Sequence, residues 1–168
     1  MKKQWFVFYT KSRQEKKVRD LLLKSGYEVF LPMHKVLRQW SDRKKKVEVP
    51  LFNSYIFVNE LDFNIPFILK IPGVAWNIRS NGKPAVLRLD ELALINRFIS
   101  TGLTLEASDL DRNTLKNGDK AKIIDGPLTG VVGVISGEPN NEKFNVLIEG
   151  IAQVIRVQIP AFLLKKVE

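Results

Sequence analysis

The chain has 168 residues, 45% of them hydrophobic, with no cysteine, one histidine, and 27 Lys and Arg against 18 Asp and Glu. This excludes a disulfide framework, a thiol nucleophile and a His- or Cys-rich metal centre, and with no apolar run of about 18 residues and no signal-peptide pattern after Met1-Lys2-Lys3-Gln4, a soluble cytoplasmic protein is expected. The charge is uneven: residues 1–103 carry 19 basic and nine acidic side chains, residues 104–168 eight and nine, which points the first part to a polyanionic partner and the second to a protein.

Trp5-Phe6-Val7-Phe8-Tyr9 reads as a first strand, and Ser12 to Ser25 as a helix with Val18, Leu21 and Leu22 on one face, stopped by Gly26. Arg13, Lys17 and Lys24 cluster on the opposite face as a basic ridge. Glu28 to Pro32 reads as a second strand. Lys35 to Trp40 and Lys46 to Val49 then flank the polar tip Ser41-Asp42-Arg43-Lys44-Lys45, a hairpin with a basic tip. A strand at Asn53–Val58, a short apolar helix around Phe63–Lys70, a strand at Val74–Arg79 and a helix at Asp90–Ser100 complete a β-α-β-β-β-α-β-α order.

From Thr101 to Leu115 the text is polar and loses its period, which suits a linker. The expected division is a domain at 1–101, a linker at 102–114 and a second domain at 115–168. Lys120–Ile124, Val131–Ser136, Lys143–Ile148, Gln153–Val157 and Phe162–Lys166 are short β-rich runs. They are separated by turns at Asp125-Gly126-Pro127, Glu138-Pro139-Asn140-Asn141 and Glu149-Gly150, so a small β-barrel is expected. The fold class is therefore α+β.

Catalytic signatures are missing. His34 has no serine motif or carboxylate beside it in the sequence, no phosphate-cradling glycine motif occurs, and Asp109 and Asp111 fall in the presumed linker. A non-enzymatic binding protein without cofactor or metal is expected. Two strands are apolar on both faces: Trp5, Val7 and Tyr9 against Phe6 and Phe8, and Tyr55 and Phe57 against Ile56 and Val58. If the first and last helices of this domain cover one side only, Tyr9, Tyr55 and Phe57 remain on an open patch fit for a protein partner. The alternative is that a third element, or the barrel itself, covers it.

Trp5 to Lys11 with Glu15-Lys16-Lys17-Val18, then Pro50-Leu51-Phe52-Asn53-Ser54-Tyr55-Ile56-Phe57-Val58, then Pro72-Gly73-Val74 resemble the NusG N-terminal (NGN) domain. Ile123-Ile124-Asp125-Gly126-Pro127-Leu128-Thr129-Gly130 with Gly133-Val134-Ile135 resembles the KOW motif of a small SH3-like β-barrel. The stretch Gln39 to Lys46 is similar to the specialised paralogues of the UpxY and RfaH kind. The resemblance implies a monomeric factor that rides on elongating RNA polymerase, suppresses pausing or termination, and acts on chosen operons.

It also implies roles. Tyr9, Phe52, Tyr55 and Phe57, with Ile78 nearby, would line the apolar hollow that receives the clamp of the largest polymerase subunit. Asn77 and Ser80 stand where relatives often have aromatics, and Asn53-Ser54 replaces the usual Pro-Gly. Lys11, Arg13, Gln14 and Lys17 would meet the non-template DNA strand. Phe63 to Leu69 occupies the place where some relatives touch a second polymerase subunit. The loop Gly126, Pro127, Leu128 and Gly130 would recruit a ribosomal protein or a termination factor, with Leu128 replacing an aromatic and packing inward as the alternative. The competing function is a ribosome- or RNA-binding KOW protein held by the basic helix face and hairpin tip.

Overall fold

The computed structural model describes residues 2–138 and 140–167, and of Arg112, Thr114 and Asn117 the backbone alone. Pro139 of the expected 138–141 turn lies outside the described residues. The N-terminal half contains β1 (Gln4–Thr10), α1 (Glu15–Lys24), β2 (Glu28–Phe30), β3 (Met33–Gln39), β4 (Lys44–Pro50), β5 (Tyr55–Glu60), α2 (Ile65–Ile68) and β6 (Val74–Asn77). The two-residue strands β7 (Arg79–Ser80), β8 (Lys83–Pro84) and β9 (Val86–Leu87) lead into α3 (Leu89–Ser100).

The central sheet runs in the order β2-β5-β1-β6, with β9 also paired to β1. β1 and β5 are antiparallel in a register that sets Val7 opposite Phe57 and Tyr9 opposite Tyr55. Period-two alternation therefore sends Phe6, Phe8, Ile56 and Val58 to one face, where they pack with Val18 and Leu22 of α1 and Ile65 and Ile68 of α2. Helix α1 starts later than Ser12, because Gln14 donates its N–H to Lys11 O at 3.1 Å and Arg13 takes a φ of 62°. It ends on a paired turn, with the Gly26 N–H on Leu23 O and the Tyr27 N–H on Leu22 O.

The opposite face is not left open. Val7, Phe52 and Phe57 share one core with Ile95 and Phe98 of α3 and with Ala121, Ile123, Phe144 and Ile155 from the C-terminal half. Of the two alternatives, the covered one holds here: α1 and α2 take one face, α3 and the C-terminal domain the other. The reason is the short apolar segment after β5, which supplies the second helix that the α1 face needs.

The C-terminal half adds β10 (Leu105–Asp109), α4 (Arg112–Asn117), β11 (Asp119–Ile123), β12 (Val132–Ser136), β13 (Lys143–Ile148), β14 (Gln153–Val157) and β15 (Leu164–Lys166). They form a six-stranded sheet in the order β10-β14-β13-β12-β11-β15. The stretch 102–114, expected as a linker, contains β10, which pairs antiparallel with β14 from Leu105 opposite Val157 to Asp109 opposite Gln153. Leu105 is buried and its neighbours turn polar groups outward, an edge-strand pattern too short to stand out in the sequence. Among the described residues no helix is long and apolar enough to cross a membrane.

Candidate functional site

The five residues expected to line an apolar hollow lie on the same face of the central sheet, in two tiers. Tyr9 and Tyr55 form the rim: their rings meet edge to face with centroids 5.7 Å apart. Tyr9 also stacks on Trp76 at 4.5 Å with the planes within 6°. Trp76 is 54% exposed, whereas Phe52 and Phe57 are 2% and 0% exposed and meet edge to face at 6.3 Å. Ile78 is half-buried, bonded through its N–H to Val7 O and through its carbonyl to the Ala85 N–H. Of the open and covered alternatives this arrangement is the covered one, with Phe52 and Phe57 inside the core. Asn77 donates its amide to Val7 O at 3.0 Å, while its own Oδ1 is buried without a partner.

The turn that launches β5 is held by α1. Ser54 adopts a φ of 67°, left-handed backbone that favours glycine. Its N–H donates to Glu15 Oε2 at 3.0 Å and its carbonyl accepts from the Thr10 N–H at 2.7 Å. Glu15 is only 7% exposed, so this carboxylate spends its charge on the turn rather than on solvent. At the other side of the β1 end, the Lys11 N–H donates to Gly73 O, and a Cβ on Gly73 would lie 2.6 Å from Val18 Cγ2 and 2.8 Å from Gln14 Oε1. Pro72-Gly73 is thus a close-approach point between β6 and α1.

The seam between the two domains is polar at its edges. Glu91 of α3, 4% exposed, accepts the Arg88 N–H on Oε1 at 3.1 Å and the Gly150 N–H on Oε2 at 3.0 Å. Gly150 lies so close that an added Cβ would sit 2.4 Å from Val86 O. Arg97 Nη2 donates to the carbonyls of Pro127 at 3.1 Å and Thr129 at 2.9 Å. Arg88 pairs with Glu149 at 3.4 Å on the exposed rim. Beneath Tyr55, Gln153 donates to Asp109 Oδ1 at 2.7 Å. Burial, the Asp109 charge and Tyr9 push the Tyr55 hydroxyl above its ordinary value, with a hydrogen bond to Gln153 acting against them.

The loop Gly126, Pro127, Leu128 and Gly130 is thus tied to α3 by Arg97. Leu128 is 2% exposed and packs in the shared core, so the inward alternative holds in this arrangement. Lys11, Arg13 and Lys17 are exposed around the start of α1, while Gln14 is half-buried with its side chain over Gly73. Phe63, Phe67 and Leu69 around α2 are exposed. His34, at the base of β3, has a buried Nδ1 without a partner, and burial lowers its pKa.

Four residues of the site escape sequence reading. Trp76 becomes legible only through its register opposite Tyr9, just before a bulge between Tyr9 and Thr10. Glu91, Arg97 and Gly150 act across the seam, between segments some 30 to 60 residues apart in sequence, and only the acidic first turn and basic last turn of α3 hint at them.

Comparisons with known proteins agree with this architecture. Residues 3–96 match the family model described as transcription termination factor nusG. The chain is 29% identical over 170 residues to the transcription termination/antitermination protein NusG of Rickettsia felis, covering 92% of this chain and 86% of that protein. It is 27% identical over 172 residues to the NusG of Streptococcus pyogenes serotype M1, covering 94% and 93%. A solved structure described as domain interaction in Thermotoga maritima NusG superposes with a TM-score of 0.62 at 26% identity, covering 100% of this chain and 99% of that one.

Proposed function

This chain belongs to the NusG family of transcription termination factors, and we propose that it is an elongation and antitermination factor that binds elongating RNA polymerase through the Tyr9–Tyr55–Trp76 face of its N-terminal domain. The observation that carries this reading is the exposed Trp76 stacked on Tyr9 beside a buried apolar tier that includes Phe52 and Phe57. Aromatic anchors next to a desolvated apolar floor are the composition of a protein-binding centre. The clamp of the largest polymerase subunit is the partner proposed for it. The work done is non-catalytic: contact with one conformation of the polymerase raises the population of that processive state.

The C-terminal domain shares the core under this face. Opening the seam so far that two of its large apolar side chains meet water would cost about 3 to 6 kcal/mol. Polymerase must therefore take over that contact as the C-terminal domain leaves. The same exchange would release the 126–130 loop from Arg97 for a ribosomal protein or termination factor. Lys11, Arg13, Gln14 and Lys17 are proposed to meet the non-template strand, Gln14 with little freedom because its side chain lies over Gly73. The likeness of Gln39–Lys46 to specialised paralogues supports action on selected operons in the cytoplasm.

A pull-down of core RNA polymerase tests the reading. Tyr9→Ala combined with Tyr55→Ala, still folded, is expected to lose most of the binding. Retention of parental binding would remove this face from the interaction, and sedimentation with ribosomes instead of polymerase would favour an RNA-associated protein.

A further inference from the structure

Among the described residues, strands β3 and β4 pair only with each other and form a ribbon of two seven-residue strands, about 23 Å long at 3.3 Å per residue. Every residue from Leu37 to Lys46 is exposed. The base is fixed to the domain, where the Leu51 N–H donates to Pro32 O at 2.9 Å and Lys16 Nζ of α1 donates to Glu48 O at 3.1 Å. The tip is closed by the Trp40 N–H on Arg43 O at 2.8 Å.

The register distributes charge over both faces of the ribbon. Arg38 lies directly opposite Lys45, whereas the pairs Gln39–Lys44 and Leu37–Lys46 share the other face. Opposed residues share a face, so Arg38 and Lys45 project from one side and Lys35, Lys44 and Lys46 from the other. Like charges directly opposite weaken a ribbon. No ion pair among the described residues involves Lys35, Arg38 or any of Arg43 to Lys46, and Asp42 is the only acid between positions 35 and 46. Trp40 already has the Arg43 guanidinium 5.3 Å and Lys45 Nζ 5.8 Å from its ring.

A surface that lies flat on a polyanion needs cations on one face only; a ribbon with cations on both suits a slot with phosphates on either side. The major groove of B-DNA, about 12 Å wide, admits a two-stranded ribbon. The deep, narrow major groove of duplex RNA does not admit side chains in this way. Binders of single strands rely on successive free aromatic faces, and this arm has a single tryptophan, whose ring already faces the Arg43 and Lys45 cations. We propose that the β3–β4 hairpin is a duplex-DNA-binding arm that enters the major groove and holds the phosphates on both walls, without reading base sequence. This contact is separate from the α1 residues and does not depend on the polymerase-binding reading.

Fluorescence anisotropy with the full chain and a labelled mixed-sequence DNA duplex tests it, between about 50 and about 200 mM salt. The variant Arg38→Ser, Arg43→Ser, Lys45→Ser is expected to bind at least about tenfold more weakly and to lower the slope of log affinity against log salt by about 2 to 3. Removing three exposed cations elsewhere, with Lys120→Ser, Lys122→Ser and Lys165→Ser, should leave duplex affinity within about twofold, which separates the arm from net charge. The proposal is overturned if the parent does not bind the duplex at low salt, if the two variants weaken it equally, or if a single strand or an RNA duplex binds through the arm more tightly than DNA.

Discussion

Glu91 of α3 accepts the Gly150 N–H from the C-terminal domain at 3.0 Å while its other oxygen holds the Arg88 N–H at the start of its own helix. One buried carboxylate thus joins the helix N-terminus to the domain seam. Removing it leaves the Gly150 N–H without its acceptor, at a cost of about 1 to 3 kcal/mol. Glu91→Ala is expected to lower the urea midpoint of the seam, read by interdomain fluorescence transfer, more than that of the β13–β14 core, read by amide exchange.

Gly150→Ala addresses the same seam by crowding. The new Cβ would fall 2.4 Å from Val86 O, a backbone atom that cannot swing away, and such overpacking costs about 1 to 3 kcal/mol. The expected result is an expanded particle in small-angle scattering with both sheets still formed. A compact particle of unchanged dimensions would mean that the seam tolerates the methyl group.

Ser54 occupies left-handed backbone at φ 67°, in a place where the resemblance calls for glycine. Ser54→Gly relieves that conformation but loosens the unfolded chain, and the two effects leave a net gain of about 0.5 to 1 kcal/mol. Glu15→Ala should act in the opposite sense, because the Ser54 N–H loses its carboxylate partner. Thermal unfolding of the two variants checks both signs.

The Tyr55 hydroxyl has its pKa raised above 10.0, first by burial and then by Asp109. A folded value above the unfolded one means that the contribution of neutral Tyr55 is fully present below about pH 10 and is lost as pH rises through the folded value. Seam opening should therefore set in on the alkaline side, and Asp109→Asn should bring Tyr55 ionisation to lower pH. The difference in phenolate absorbance between the parent and Tyr55→Phe isolates this one group.

What could be read from the chain beforehand was whatever a local period encodes. Trp5 to Tyr9 and Tyr55 to Val58 declare their two faces by alternation, and the five C-terminal runs sit within a residue or two of strands β11 to β15. Leu105–Asp109 did not declare itself, because a strand with one buried leucine and polar neighbours looks like a connector until β14 supplies its partner. The same holds for the site. Tyr9 and Tyr55 were legible as neighbours on one face, but their cover was not, since Glu91, Arg97 and Gly150 have no local pattern that announces a contact with a distant segment. Leu128 likewise reads as a loop residue and is buried.

If polymerase and the C-terminal domain compete for the Tyr9–Tyr55–Trp76 face, the affinity of the full chain for core RNA polymerase should change when the seam is weakened. Arg97→Ala combined with Gly150→Ala is predicted to bind at least about tenfold more tightly than the parent, since about 1.4 kcal/mol removed from the closed state is worth that factor. Adding Tyr9→Ala and Tyr55→Ala should abolish the gain. Equal affinity of the weakened variant and the parent, with the seam shown open by scattering, would mean that the C-terminal domain does not compete with polymerase for this face.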